Sequence, residues 1–516
     1  MQTEMEYQSG REINSLRCES VGEYSLPDYN GDVKKILAVK TKVFPSGRFV
    51  GDGVLEISGS VWYEIVYLDS ENQLTHAEFS TDYDAAVRIN SDTYVDSDVS
   101  TAVCACNVRL VGPRKLSVKS TLESEVRLGE RRVHSIEGDA FMEYEPETVG
   151  TVARVLTPSF ASGEVREMNE ELLQLDGAIA DEVEVLLSDA CFRLESAEPE
   201  GDTLSVKGAV LVSALVKNAD SSPRLVTKEL AYTETLTLPD AESLESVDPR
   251  VEIRSLRSTV TPTEDGVSVN VTLTLAPFAY GKRNCSLSLV GDCFVKERGS
   301  ANEYEDFSYT EHICTDVKTE RLETKMSAAE LGIEAVGDVI YAEAQAKVDR
   351  CELGDTGVTV EGEVRFSGIA YSVSEESTPV YAPIKFTVPF SQNVNIDCQK
   401  HDNMRAYCSV NTSSPKIILD ENSVSASADL TFFVNVTSDK RQRCLGSSYL
   451  TDEEFVRDAS VVTVYYPDTS ESLFSIAKRF HTSVLNIAES NRLSESVFAS
   501  SDAPIGASGV RKLIIK

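Results

Sequence analysis

The chain has 516 residues, 41% hydrophobic and 26% charged: enough apolar material for about three or four domains, and too much for wholesale disorder. Its 84 acidic and 49 basic residues give a net charge of −35, a surface that repels phosphate backbones and anionic lipid, so nucleic acid is not an expected partner. No apolar run approaches the length of a membrane span.

Residues 1–30 read as a polar N-terminal arm without the apolar stretch of a secretory signal. The eleven cysteines are odd in number and mostly isolated, which points to reduced thiols in a cytosol rather than a disulfide framework.

An internal repeat organises the next 400 or so residues. Ile36–Gly59, Val185–Gly208 and Val339–Gly362 align without a gap, each 24 residues long, and their terminal glycines stand 149 and 154 residues apart. Around each glycine the apolar residues alternate: Leu55, Ile57, Val61 and Tyr63; Leu204, Val206, Val210 and Val212; Val358, Val360, Val364 and Phe366. Side chains of a strand alternate between faces, so each row lines one face of a half-buried strand. The opposite face is more polar, with Glu56, Ser58 and Glu64 in the first copy, and a mid-strand glycine signals a bulge or a close backbone approach. Further strands follow in each copy: 103–111 and 115–126, 251–260 and 267–276, 404–410 and 424–436. Short helices are expected just before each copy, over Asn30–Val39, Met168–Leu187 and Ser327–Ala344. The expected fold is mainly β: three tandem antiparallel, sandwich-like modules over 31–145, 146–300 and 301–450, joined by short linker helices.

The tail, expected as a separate domain over 456–516, is different. From Val461 onward it holds five acids and six bases, so it is nearly neutral beside a strongly acidic body. A strand at Val461–Tyr466 leads to a helix whose Leu473, Ile476, Ala477 and Phe480 share one face. A second helix near Val484–Asn491 has Ser483 placed to cap it, and a strand at Lys512–Ile515 completes a β-α-α-β unit.

No catalytic or cofactor motif is present: no phosphate-binding Gly-x4-Gly-Lys-Ser/Thr loop, no Gly-x-Ser-x-Gly elbow and no His-Glu-x-x-His. Gly281-Lys282 continues with Arg283 and lacks the upstream glycine. Cys104-x-Cys106 reads as two small residues on one strand face rather than half a metal site, because no second pair lies at zinc spacing. No cofactor, metal or enzymatic activity is expected. Trp62 lies on the polar parity of its strand and reads as packed under a neighbouring segment, with a sugar-stacking platform as the alternative.

Two resemblances add to this reading. The tail resembles a LysM domain through Ser470–Phe480 (SESLFSIAKRF) and His481–Leu493 (HTSVLNIAESNRL). It departs from the LysM pattern at Ser470-Glu471, where Gly-Asp is usual, and at Ile505-Gly506 near the second groove turn. The repeats resemble SPOCS domains of spore-forming Firmicutes through Tyr24–Leu37, Val108–Glu123 and Val360–Tyr371. Together the two are similar to the SipL family of spore morphogenetic proteins. That resemblance implies a non-catalytic scaffold in the mother-cell cytosol, at the forespore surface, that binds a SpoIVA-like coat-anchoring ATPase through its tail. The surface implied for that contact comprises Tyr466, Ser470, Glu471, Ser472, Leu473, Phe474, Asn491, Leu493, Ile505 and Gly506. The alternative is a wall protein whose LysM-like unit binds peptidoglycan.

Overall fold

The structure, a computed structural model, describes all residues except 1–3, 29, 219–220, 333–336, 374–377, 397, 399, 457–460, 495–501 and 506–509. It is built overwhelmingly of long antiparallel strands, with helices confined to short pieces. The first six strands are β1 (Glu4–Ser25), β2 (Val33–Gly51), β3 (Val54–Asp69), β4 (Leu74–Arg88), β5 (Tyr94–Gly112) and β6 (Lys115–Ser135). They form two sheets, a meander β2-β3-β4 and a sheet of order β1-β6-β5. The alternating row Leu55, Ile57, Val61, Tyr63 and Ile65 of β3 meets Leu116, Val118, Leu122, Val126 and Leu128 of β6 in one core. Two faces of period-two strands thus bury each other, as a sandwich requires.

A helical turn, α1 (Ala140–Glu143), leads to β7 (Glu147–Ser162), β8 (Arg166–Asp176), β9 (Val183–Glu200), β10 (Thr203–Asn218), β11 (Ser221–Thr237), β12 (Ser246–Pro262) and β13 (Gly266–Phe294). The third set is β14 (Arg298–Ser327), β15 (Asp338–Leu353), β16 (Gly357–Val373), β17 (Pro379–Asn395), β18 (Met404–Leu419) and β19 (Ser423–Glu454). The plan recurs: the middle three strands make a meander, and the last strand pairs with the first and the penultimate. In the second set β7 and β8 share the long β13, together taking the place that β1 and β14 fill alone.

Gly59, Gly208 and Gly362 all lie on the central strand of a meander, and in each case the neighbouring strand carries a bulge beside the glycine, between Pro45 and Gly47, Leu194 and Ser196, and Val348 and Arg350. The bulge brings a carbonyl over the glycine. A Cβ there would meet the oxygen of Phe44, Arg193 or Lys347 and the ring of Tyr83, Phe192 or Phe390. Only a residue without a side chain fits beneath both.

The three meanders converge. Positions that are equivalent in the gapless alignment meet in one apolar cluster: Leu37 with Leu186 and Ile340, Ala38 with Leu187 and Tyr341, and Val66 with Leu215 and Ile369. Beside it stand another three equivalent residues, Lys40, Asp189 and Glu343, with the Lys40 Nζ 2.8 Å from Asp189 and 2.9 Å from Glu343. The face of β3 that reads as polar is therefore partly internal. Glu64 is buried between Lys42 Nζ at 2.6 Å and Ser188, whose N–H and hydroxyl both donate to it. Trp62, half-buried on the same face, stands edge-on to Phe44.

Several expectations need correction. The expected linker helices are largely strand: 33–39 belongs to β2, 168–176 to β8, 183–187 to β9 and 338–344 to β15, with one short 3-10 turn at Ala180–Glu182. Residues 333–336 of the third expected helix lie outside the described residues. The cause is local. Register shifts at Val33/Lys35, Ile36/Ala38 and Val339/Tyr341 place neighbouring apolar residues on both faces, a spacing that imitates a helix. The N-terminal segment is not a free arm either, since Glu4–Ser25 pairs with β6 along nearly its whole length.

Candidate functional site

The tail is built as β20 (Thr463–Tyr465), α2 (Leu473–Arg479), α3 (Val484–Asn491) and β21 (Leu513–Ile515), with β20 and β21 antiparallel. Ser472 opens α2 with a reciprocal capping box to Ser475, and Ser483 caps α3 by accepting from the Asn486 N–H at 3.0 Å. Leu473, Ile476, Ala477, Val484 and Ile487 bury their helix faces against Leu513 and Ile515.

Each predicted site residue has a definite place. Tyr466 is 71% exposed, and Ser470 is exposed. Glu471 is half-buried, accepting from the Tyr465 hydroxyl and the Asp468 N–H and paired with Arg479 at 2.6 Å. Desolvation pulls its carboxyl up, and those partners outweigh it, leaving the pKa below the usual carboxylate value. Ser472 is spent on its cap. Asn491 bonds the Ile487 carbonyl at 2.8 Å and both backbone groups of Ile514, tying α3 to β21. Leu493 packs against the tail core. The two turns expected to line a groove are joined to one another, the Ile505 N–H donating to the Glu471 carbonyl at 2.7 Å. Gly506 lies outside the described residues.

Leu473, Phe474 and Ile505 do not form an exposed apolar patch, because all three are buried. Phe474, 4% exposed, packs edge-on against Phe294 at the end of β13, ring centroids 5.3 Å apart. Lys478 Nζ reaches Asp292 at 2.6 Å. The same Asp292 accepts from the Asn302 amide and the Tyr304 hydroxyl of β14 at 2.9 and 2.8 Å. One carboxylate thus joins the tail to the second and third sheet pairs. An aromatic at position 474 was legible, but its partner 180 residues upstream was not.

The outward surface of the tail is instead its first strand with the residues that flank it. Val464 in β20 and Val461, Val462 and Tyr466 beside it are all more than half exposed. β20 pairs with β21 alone, so its other edge has no strand partner among the described residues. An apolar strand with a free edge is a template for another chain. The run VVTVYY was the available sequence signal.

Among the described residues one group could hold a metal ion, His134, Glu305 and Cys444. The Cys444 sulfur lies 4.0 Å from His134 Nε2, and His134 Nδ1 lies 3.4 Å from Glu305. The two contacts use opposite nitrogens of one ring, and Cys444 is fully buried beside Phe307. Burial pushes its thiol pKa up. That arrangement suits packing better than a nucleophile or an ion site.

In comparisons with known proteins, the family model described as SipL, SPOCS domain matches residues 335–418. A SipL/SPOCS-family domain is therefore present there, covering the meander β15-β16-β17 and most of β18. No curated protein and no solved structure matches the chain.

Proposed function

We propose that this chain is a non-catalytic scaffold of the spore envelope. Its three β modules pack around a shared junction, and its LysM-like tail presents the exposed edge of β20 to a SpoIVA-like coat-anchoring ATPase at the forespore surface, on the mother-cell side. The observation that carries this reading is the SPOCS-family domain at 335–418, lying within the third of three sheet pairs that share one strand order. On this reading the first two pairs are SPOCS modules as well. The near-neutral tail supports the choice of surface, because a partner of either sign can approach it more easily than the acidic body.

The test is co-purification of the full chain with the ATPase from a sporulating host, comparing wild type with Val464→Asp and Tyr466→Asp. Both side chains are exposed, so the fold is expected to survive. Capture should fall by about tenfold or more. Unchanged capture by the folded variants overturns the β20 surface, and sedimentation of the full chain with peptidoglycan but not the ATPase favours the wall-binding alternative.

A further inference from the structure

Where the non-meander sheets of the three modules meet, a cleft of about 850 Å³ opens on the surface. It is lined by five cationic side chains, Arg11, Arg132, Arg405, Lys440 and Arg441, and by two acidic ones, Glu12 and Asp439. In a chain with 84 acids and 49 bases this reverses the prevailing sign.

The available carboxylates do not neutralise it. Glu12 is committed inward, 3.0 Å from Lys282 and accepting from the Asn435 amide. Glu130 is shared between Arg11 at 3.6 Å and Arg132 at 3.0 Å. Asp439 holds Arg405 at 2.9 Å, and Lys440 stands 3.8 Å from Glu311, which also serves Arg154. Arg441 has no ion pair among the described residues.

The basic residues are not scattered. Each module's last strand carries a basic pair, Arg131-Arg132, Lys282-Arg283 or Lys440-Arg441, and the second member stands opposite Tyr7, Thr157 or Ser308 of the first strand. The second pair is consumed internally, Lys282 by Glu12 and Arg283 by Asp240 at 2.7 Å. Members of the first and third pairs face the cleft. Ser9, only 9% exposed, lies in the same wall. Tyr7, Tyr309 and Tyr407 add aromatic walls.

We propose that this cleft binds a small phosphate-bearing anion of nucleotide size. Guanidinium forks match phosphate oxygens in pairs, and the volume lies in the range of small-molecule sites. The surrounding negative field is screened within about 8 Å at physiological salt, so the local cations govern the final approach.

The test is calorimetric titration of the full chain with inorganic pyrophosphate and, separately, with ATP, at low and at physiological salt. Binding should be saturable and weaken with salt. The double variant Arg132→Glu/Arg441→Glu should weaken it by about tenfold or more, while Arg193→Glu, on the second meander, leaves it unchanged. Circular dichroism and thermal melts establish that the charge variants are folded. Equal affinity for the two probes assigns the site to the phosphates alone, and tighter ATP binding adds stacking on the tyrosines; either supports the proposal. It is overturned if neither probe binds at millimolar concentration, if Arg193→Glu loses as much as the double variant, or if a polyglutamate peptide binds and pyrophosphate does not, which would make the cleft a protein contact.

Discussion

Lys40→Met tests the convergence of the three modules at its most exposed assumption, that a buried ion triad holds equivalent positions together. Lys40 is 12% exposed and contacts Asp189 and Glu343 from two other modules. Desolvation pulls its pKa down, but Tyr341, Glu343 and Asp189 more than offset this and hold it well above the ordinary lysine value. A lysine whose folded pKa is raised contributes fully below its unfolded value, about 10.4, and loses that contribution only as pH climbs through the folded value. The penalty of the substitution should therefore be constant across the neutral range. Breaking a buried pair typically costs about 3–5 kcal/mol. Asp189 is 41% exposed, so water screens its share, and about 2–3 kcal/mol is expected. The assay is urea unfolding followed by emission of Trp62, the only tryptophan, which sits on the same face of β3 as Glu64. A multi-module chain need not unfold in one step, so the first transition is compared. The triple variant Lys40→Met/Asp189→Leu/Glu343→Leu should recover most of the loss, since apolar replacement of a whole buried ion group is often neutral. A single-variant effect below about 0.5 kcal/mol refutes the triad's role. A triple variant as unstable as the single one shows that the lysine stem's packing, not its charge, was at stake.

Phe294→Ala removes the platform under Phe474 while leaving every residue of the tail itself in place, and a cost of about 3 kcal/mol to the buried contact should let thermolysin release the tail beside the exposed Val456 and Val461. Release at the wild-type rate would assign the dock to Lys478 and Asp292. Gly208→Ala and Gly362→Ala should abolish soluble expression or lower the melting temperature steeply, because the new methyl meets a backbone carbonyl, whereas Gly47→Ala, with open space around it, should stay within about 0.5 kcal/mol. His312 is buried, and burial, reinforced by Lys282, depresses its pKa to about 4. As pH falls from 6.5 towards 4 the unfolded chain binds a proton that the folded chain refuses, so up to about 3 kcal/mol of stability is lost in that window. His312→Gln should flatten that part of the stability profile measured by thermal melts, and an unchanged slope refutes the assignment.

What was legible was what local periodicity encodes. The rows through Gly59, Gly208 and Gly362 stand out because one face of each strand packs into its own module's core, and the tail helices announced themselves by caps and a 3.6-residue stripe. The misread segments are those in which one strand serves two neighbours. Leu37-Ala38 and Leu186-Leu187 put both residues of an adjacent pair into the junction cluster, which breaks alternation. Glu4–Ser25 looked like an arm because its partner, β6, begins about 90 residues after it ends. The alignment places Lys40, Asp189 and Glu343 in one column, yet nothing in a sequence states that the three charges of that column meet at one point. The same holds for the site: the residues that look like a binding motif, Leu473, Phe474 and Asn491, are those the small tail uses to hold itself together and to dock, while Val464 has only the apolar run VVTVYY to mark it and the cationic cleft carries no motif.

The tail dock and the cleft lie on one strand. Along β14, Asn302 and Tyr304 hold Asp292 beneath the tail, and Ser308, Tyr309 and Thr310 line the cleft only a few residues on. Between them Glu305 meets His134, and Phe307 packs against Tyr7 in a cluster drawn from all three modules. A packed strand of this kind shifts as a unit rather than bending freely, so an anion that draws Tyr309 and Lys440 together acts on the same element that positions Asp292. If the cleft binds as proposed, linkage makes the coupling reciprocal: a ligand that tightens the dock must itself bind more tightly when the tail is docked. Saturating pyrophosphate should then slow thermolysin release of the tail by about fivefold, the low end of ordinary coupling. Phe294→Ala should in turn weaken pyrophosphate binding by a similar factor, although Phe294 does not line the cleft. A release rate indifferent to pyrophosphate, measured on a chain that demonstrably binds it, makes the cleft and the tail independent devices and removes β14 as the link between them.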